Sequence, residues 1–316
     1  MALGTIGGDG RTTARVEQEI FSQGKDLKGS SFKALMLSAL GVSILILVVL
    51  IVDVLIDGWP VLSTRLPSFL SGTLFSQASS DQLGISQGLT GTLWIAFFVI
   101  GLSFPIGIAS AIYLEEYATQ SKLTSAIDIA IRNLAGVPSV VYGLLGLFLF
   151  VSTNDDESTL FAGGITLAIL VLPIVVITSA EAIRAVPSSL KQGAYGVGAT
   201  KWDVIRTQVL PFAAPGILTG TLLSLSRAIG EAAPLILVGA VTDRLAPRDR
   251  SIFSLEQLDD RFTAMPIVII GWIQDTALDV GFAAAAGAAI VVLLVLVIAM
   301  NSVAVLLRSY FERKRG

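Results

Sequence analysis

Arg227 and Glu231 are the two residues of this chain whose types and spacing could do chemistry in an apolar setting. Four positions apart, they face the same way on a helix, and the stretch around them, about Pro211 to Ala240, is otherwise apolar enough to lie in a membrane. An Arg held there is costly even on the mildest insertion scale, so it is expected to face a bundle interior or water and to serve a function. Its planar fork suits a tetrahedral oxyanion through paired, charge-assisted hydrogen bonds. Glu231 can hold the guanidinium when no anion is present and repels a doubly charged anion that stays too long, which describes a site that passes an anion rather than storing it. The competing interpretation is a buried ion pair that fixes helix register and never meets a substrate.

Most other chemistry is excluded by composition. The 316 residues contain no Cys and no His, so thiolate or imidazole metal sites, disulfides and His-activated nucleophiles are ruled out. No metal or cofactor is implied, and nothing points to nucleic acid. With 53% hydrophobic and 14% charged residues and a mean hydropathy of +0.79, the chain is much more apolar than a soluble domain, in which about 25% of residues are charged. An all-α integral membrane protein is expected, in contact with a lipid bilayer.

Six apolar segments are long enough to span that bilayer. They run over Ala34 to about Ile56, Leu89 to Leu114, about Ala126 to Val151, Gly163 to about Ile183, Pro211 to Ala240, and Ala283 to about Val305. The first has no small-residue cleavage pattern and is expected to stay attached rather than act as a signal peptide. Residues 1–32 contain no apolar run and are expected to form an N-terminal tail, with the membrane domain over 33–316. After Asp57-Gly58-Trp59-Pro60 a polar outer loop is expected, with Trp59 at the interface. The third segment begins with Asp128 and Arg132, expected as interfacial charges, and holds Gly136-Val137-Pro138-Ser139 and Gly143-Leu144-Leu145-Gly146, small residues that let helices approach closely. The turn Asn154-Asp155-Asp156-Glu157 carries no Lys or Arg. About 30 residues at ~1.5 Å each make the fifth segment ~45 Å long, so it is tilted, broken or protruding. A short re-entrant or surface helix is expected near Pro266.

Six spans put both termini on one side, and fifteen of the 21 Lys and Arg residues fall on that side, against five on the other. By the positive-inside rule the termini are cytoplasmic, and so is the basic loop of about 184–211. Within it, Leu190, Ala194 and Val197 fall on one face of a short helix. Gly196 and Gly198 can end that helix, and Thr200 with Asp203 can cap a second short one. Two such helices can sit in a groove of a partner; the alternative is an ordinary inner loop against headgroups. Glu115 and Glu116 either contact a partner or flank the membrane, and the sequence does not choose between them.

The run Gln192-Gly193-Ala194, followed by Gly198 and then Leu210-Pro211, resembles the cytoplasmic EAA loop of ABC-importer permeases. Together with Tyr113-Leu114-Glu115-Glu116-Tyr117, the stretch from Gly136 to Leu144, and Arg227-Ala228-Ile229-Gly230-Glu231-Ala232-Ala233-Pro234-Leu235, it is similar to the PstA-type permeases of phosphate importers from about residue 90 to the C-terminus. The pattern departs at Gln192, where the family has Glu, at Gly193, where it has Ala, and at Gln208, where Ile is usual.

The resemblance implies a MetI-like type I architecture in the cytoplasmic membrane and a role for Arg227 and Glu231 in phosphate passage. It implies an ATPase-docking loop that includes Gln192, Gly193, Ala194, Gly198, Thr200, Lys201, Trp202, Leu210 and Pro211. The expected partners are a PstC-type second permease, a dimer of ATP-binding subunits and an extracytoplasmic phosphate-binding protein, working by alternating access. The chain itself has no G-x-x-x-x-G-K-[ST], since Gly24-Lys25 is followed by Asp26 and lacks the upstream Gly; it is expected to be a transport subunit and not an enzyme. The alternatives are a permease for another oxyanion, such as molybdate, tungstate or sulfate, and a secondary transporter, which would need coupling-ion residues or matching broken helices in two halves. A membrane-embedded enzyme is a weaker alternative, because the pair has neither metal nor nucleophile beside it.

Overall fold

The computed structural model describes residues 27–74, 77–78, 82–152, 158–241 and 255–313. Residues 1–26 of the expected tail, the Asn154 to Glu157 turn, and Arg244, Arg248 and Arg250 lie outside them. The described residues are almost wholly helical, and extended pairing among them is limited to one isolated bridge, Thr73 with Leu83. Five helices are long and apolar enough to cross a membrane, or six when one bent pair is counted as a span.

The chain divides into two compact units, residues 1–53 and 54–316. In the first, the described residues form the N-terminal part of helix α1 (Leu27–Ser71), an apolar stretch of membrane-spanning composition.

In the second unit α1 runs on to Ser71, through the segment where an outer loop is expected. Val61 and Phe69 explain the difference: both are buried in a cluster with Met265, Trp272 and Phe282, and that packing holds the added turns. The helix leaves regular dihedrals at Arg65 (φ −138°, ψ 27°), close to Pro67, whose ring strains the turn before it.

Helices α2 (Ser86–Phe98) and α3 (Phe104–Ile112) are joined by a π-turn, Val99–Ser103, and closed by another, Tyr113–Tyr117, giving one continuous span. At the first π-turn the buried Ser103 hydroxyl donates to the Ala168 carbonyl at 2.6 Å, a polar hook between helices.

The third expected span, about Ala126 to Val151, is sharply bent. Helix α4 (Lys122–Ala135) and helix α5 (Ser139–Gly146), which continues through a π-turn to Val151, are bent by 97°. Pro138 disfavours helical dihedrals at the residue before it, and Gly136 ends α4 with its N–H on the Asn133 carbonyl. The Tyr142 hydroxyl then pins the corner by donating to the Leu134 carbonyl at 3.0 Å. Ser139–Val151 alone rises about 20 Å, short of the ~30 Å hydrocarbon core. Asp128 and Arg132 form an exposed ion pair on α4, Arg132 Nε to Asp128 Oδ2 at 3.0 Å.

Helix α6 (Leu160–Arg184) is the most buried of the spans and packs against both α3 and the long helix described next. Helix α7 (Ser188–Gly196) follows, and then helix α8 (Lys201–Val204), a π-turn (Ile205–Val209) and helix α9 (Leu210–Gly230) run as one membrane-length helix. The second helix of the basic loop is therefore not short. The wider turn before Pro211 accommodates the N–H that proline lacks. The fifth span covers Lys201–Gly230 rather than Pro211 to Ala240, and breaks before helix α10 (Ala233–Leu237). The short apolar helix near Pro266 is α11 (Met265–Asp275). Its first N–H has no cap from its own segment and is taken up by the Thr92 hydroxyl of α2 at 2.9 Å. Helix α12 (Gly281–Arg313) closes the chain.

Candidate functional site

Gly230 ends α9, and Glu231 takes extended dihedrals (φ −81°, ψ 120°), so the pair sits at a helix break and not at mid-helix. Pro234 in the first turn of α10 fixes where helix resumes. Across the break the Glu231 side chain folds back, and Arg227 Nε donates to its Oε1 at 3.2 Å. The expected pairing is therefore present by a different route. The Arg227 side chain is 49% exposed and that of Glu231 20%. The hydrogen bond from Arg227 to Glu231 uses Nε. A cation also suits the last turn of α9, where the helix dipole is negative.

The ground beneath the break is packed. Gly143 of α5 faces α10, and a Cβ there would come within 2.7 Å of Pro234 Cα and 2.9 Å of a Leu237 methyl. Ala228, Ile229 and Leu235, around the pair, are buried in the main core. Beside Arg227, the Ser226 hydroxyl is 2.7 Å from Asn301 Oδ1 of α12. Asn301, a polar residue inside the last span, was not singled out by the sequence reading, although an Asn in an apolar run is the signal for it.

At the other end of the same helix lies the basic loop. Helix α7 stops at Gly196; Gly198 has φ +86°, a left-handed conformation that only glycine adopts at no steric cost. Thr200 and Asp203 form a reciprocal capping box at the start of α8. Of the residues expected to share one face of α7, Ala194 turns inward against the cluster of Val204, Val209 and Ala213. Leu190 is 39% and Val197 86% exposed, because the helix ends before Val197 can join that face. Gln192, Gly193, Thr200 and Trp202 are exposed, and Pro211 is exposed in the first turn of α9, whereas Leu210 is half-buried against the Ala194 cluster. A Cβ at Gly193 or Gly196 would meet nothing within 4 Å.

Glu115 and Glu116 pair within the chain, which neither contact with a partner subunit nor flanking of the membrane anticipated. Arg184 Nε donates to Glu115 Oε2 at 3.2 Å, Lys191 Nζ donates to Glu116 Oε1, and Lys201 Nζ lies 4.9 Å from the Tyr117 ring centroid. The signal for this was two acids beside an aromatic on the same side of the membrane as a basic loop. The two candidate regions are not brought together: from Lys201 to Arg227 the helix rises about 40 Å.

The fold and the site define a multi-span helical membrane protein with a charged pair at a helix break and a braced helical loop at the far end of that helix. The family model for the binding-protein-dependent transport system inner membrane component matches residues 103–315, and the chain belongs to that family. It is 34% identical over 233 residues to the phosphate transport system permease protein PstA 1 of Mycobacterium tuberculosis (strain CDC 1551 / Oshkosh), covering 73% of each chain. It is 33% identical over 175 residues to the probable ABC transporter permease protein YqgI of Bacillus subtilis (strain 168), covering 55% of this chain and 60% of that one. The crystal structure of a bacterial ABC transporter involved in the import of the acidic polysaccharide alginate has a chain of the same fold, with a TM-score of 0.60 at 16% identity over 88% of this chain and 97% of that one.

Proposed function

We propose that this chain is the membrane permease subunit of an ATP-driven importer that passes inorganic phosphate across the cytoplasmic membrane by alternating access. The observation that carries the assignment is the Arg227–Glu231 pair, charged, half-open to the outside of the chain, and set at a helix break in a protein 34% identical to a phosphate permease. The two Nη groups donate to phosphate oxygens in a fork, and Glu231 returns to the guanidinium as the anion moves on. A phosphate dianion beside Glu231 is repelled, so it passes and is not retained.

The open side of Arg227 faces a PstC-type second permease, and the two chains line the pathway together. Exposed residues of the 184–211 loop, from Gln192 and Gly193 to Gly198, Thr200 and Trp202, meet a dimer of ATP-binding subunits in the cytoplasm, where both termini and the tail of residues 1–32 also lie. A phosphate-binding protein delivers the anion to the opposite face. Closure of the ATP-binding dimer moves the loop, and the helix from Lys201 carries that movement to Arg227.

Uptake of labelled phosphate into vesicles containing the assembled complex tests the substrate assignment. ATP-dependent uptake that resists excess sulfate and molybdate is the expected result. Abolition by either competitor reassigns the cargo to another oxyanion.

A further inference from the structure

We infer that the turn Glu115-Glu116-Tyr117 is a strut that couples the docking helix to the α2–α3 span, with Glu116 and Lys191 as its central positioning pair. This rests on the docking role proposed for α7. Three consecutive residues of one π-turn reach three successive parts of the loop: Arg184 at the end of α6, Lys191 within α7 and Lys201 at the start of α8. The wider π-turn narrows the angle between neighbouring side chains, and here both adjacent acids reach the loop. The turn stops cleanly, since Ala118 is extended and its N–H bonds the Tyr113 carbonyl at 2.8 Å.

The Glu116 side chain is only 6% exposed and its Lys191 partner 24%. A carboxylate covered in this way cannot reach a partner subunit or a lipid headgroup, and loss of its counter-charge leaves an uncompensated buried ion. Helix α7 is thus held on one face, by Lys191 and Ala194, while its opposite face at Gln192, Gly193 and Gly196 stays open. A force applied to the open face passes through the held face into Glu116 and so into the span that begins at Ser86. The docking loop therefore pushes two membrane helices, α9 by direct continuation and α3 through the strut.

The test uses the assembled complex in vesicles, with phosphate uptake and ATP hydrolysis measured together. Glu116→Lys and Lys191→Glu are each expected to retain the ATP-binding subunits yet move about tenfold less phosphate per ATP hydrolysed, and the double exchange to recover to within about twofold of the parent. Single variants that keep the parental ratio, or a double exchange no better than the singles, overturn the strut. If Glu116→Lys does not accumulate, Glu116→Gln makes the same comparison, and an unchanged phosphate-to-ATP ratio in it is equally contrary. A separate variant, Gly193→Trp on the open face, is expected to release the ATP-binding subunits; if they stay bound with full activity, the docking role is wrong, whatever the charge exchange shows.

Discussion

Lys201 and Arg227 stand near opposite ends of one uninterrupted helical run, Lys201–Gly230, about 40 Å apart. The first, in the basic loop, lies over Tyr117, and the second holds Glu231 across the break that ends the helix. A continuous helix of this length links the two regions without an intervening chain of side chains.

Glu231→Gln removes the competitor for the Arg227 guanidinium and the repulsion of a bound anion. Half-saturation for phosphate uptake is expected to fall severalfold and maximal uptake to fall with it, as the anion leaves more slowly. An initial-rate series over phosphate concentration reads both. A half-saturation that rises instead would assign Glu231 to attraction of the cargo or of a coupled cation.

Gly143→Val places side-chain atoms against Pro234 and Leu237, where a Cβ alone is already at 2.7 Å. Overpacking of this kind costs about 1–3 kcal/mol. The thermal unfolding midpoint of the detergent-solubilised complex should drop, and uptake should drop further than stability alone accounts for, because α10 is displaced beneath the pair.

Gly198→Ala tests the turn between α7 and α8 without adding a contact, since no atom lies within 4 Å of the new Cβ. With φ at +86°, the backbone strain costs about 1 kcal/mol. Retention of the ATP-binding subunits on washing is expected to fall, and Gly193→Ala, at a helical position with equal space, is expected to be neutral in the same assay.

Much of this arrangement is legible in the residues. The apolar segments, the end of α7 at Gly196 and the Thr200–Asp203 box follow from local chemistry acting over four or five residues, whereas Arg227 and Glu231, expected to pair on a continuous helix, do so across a break. What composition cannot show is direction. The 97° bend after Ala135 leaves the hydropathy of the third segment unchanged, even though Val137-Pro138 is the local cause. The continuity of α8 with α9 was hidden by Pro211, which reads as a boundary until a π-turn precedes it. Glu115 and Glu116 depend on partners 69 and 75 residues away, a separation no periodicity reaches.

The most direct measurement is ATP-dependent uptake of labelled phosphate by vesicles containing the complete complex, comparing the parent with Arg227→Gln at equal complex content. The account expects uptake to fall at least about a hundredfold, consistent with losing a charge-assisted fork to a passing anion, while the subunits remain assembled. Parental uptake by Arg227→Gln would contradict it and leave the Arg227–Glu231 pair a structural feature of the helix break.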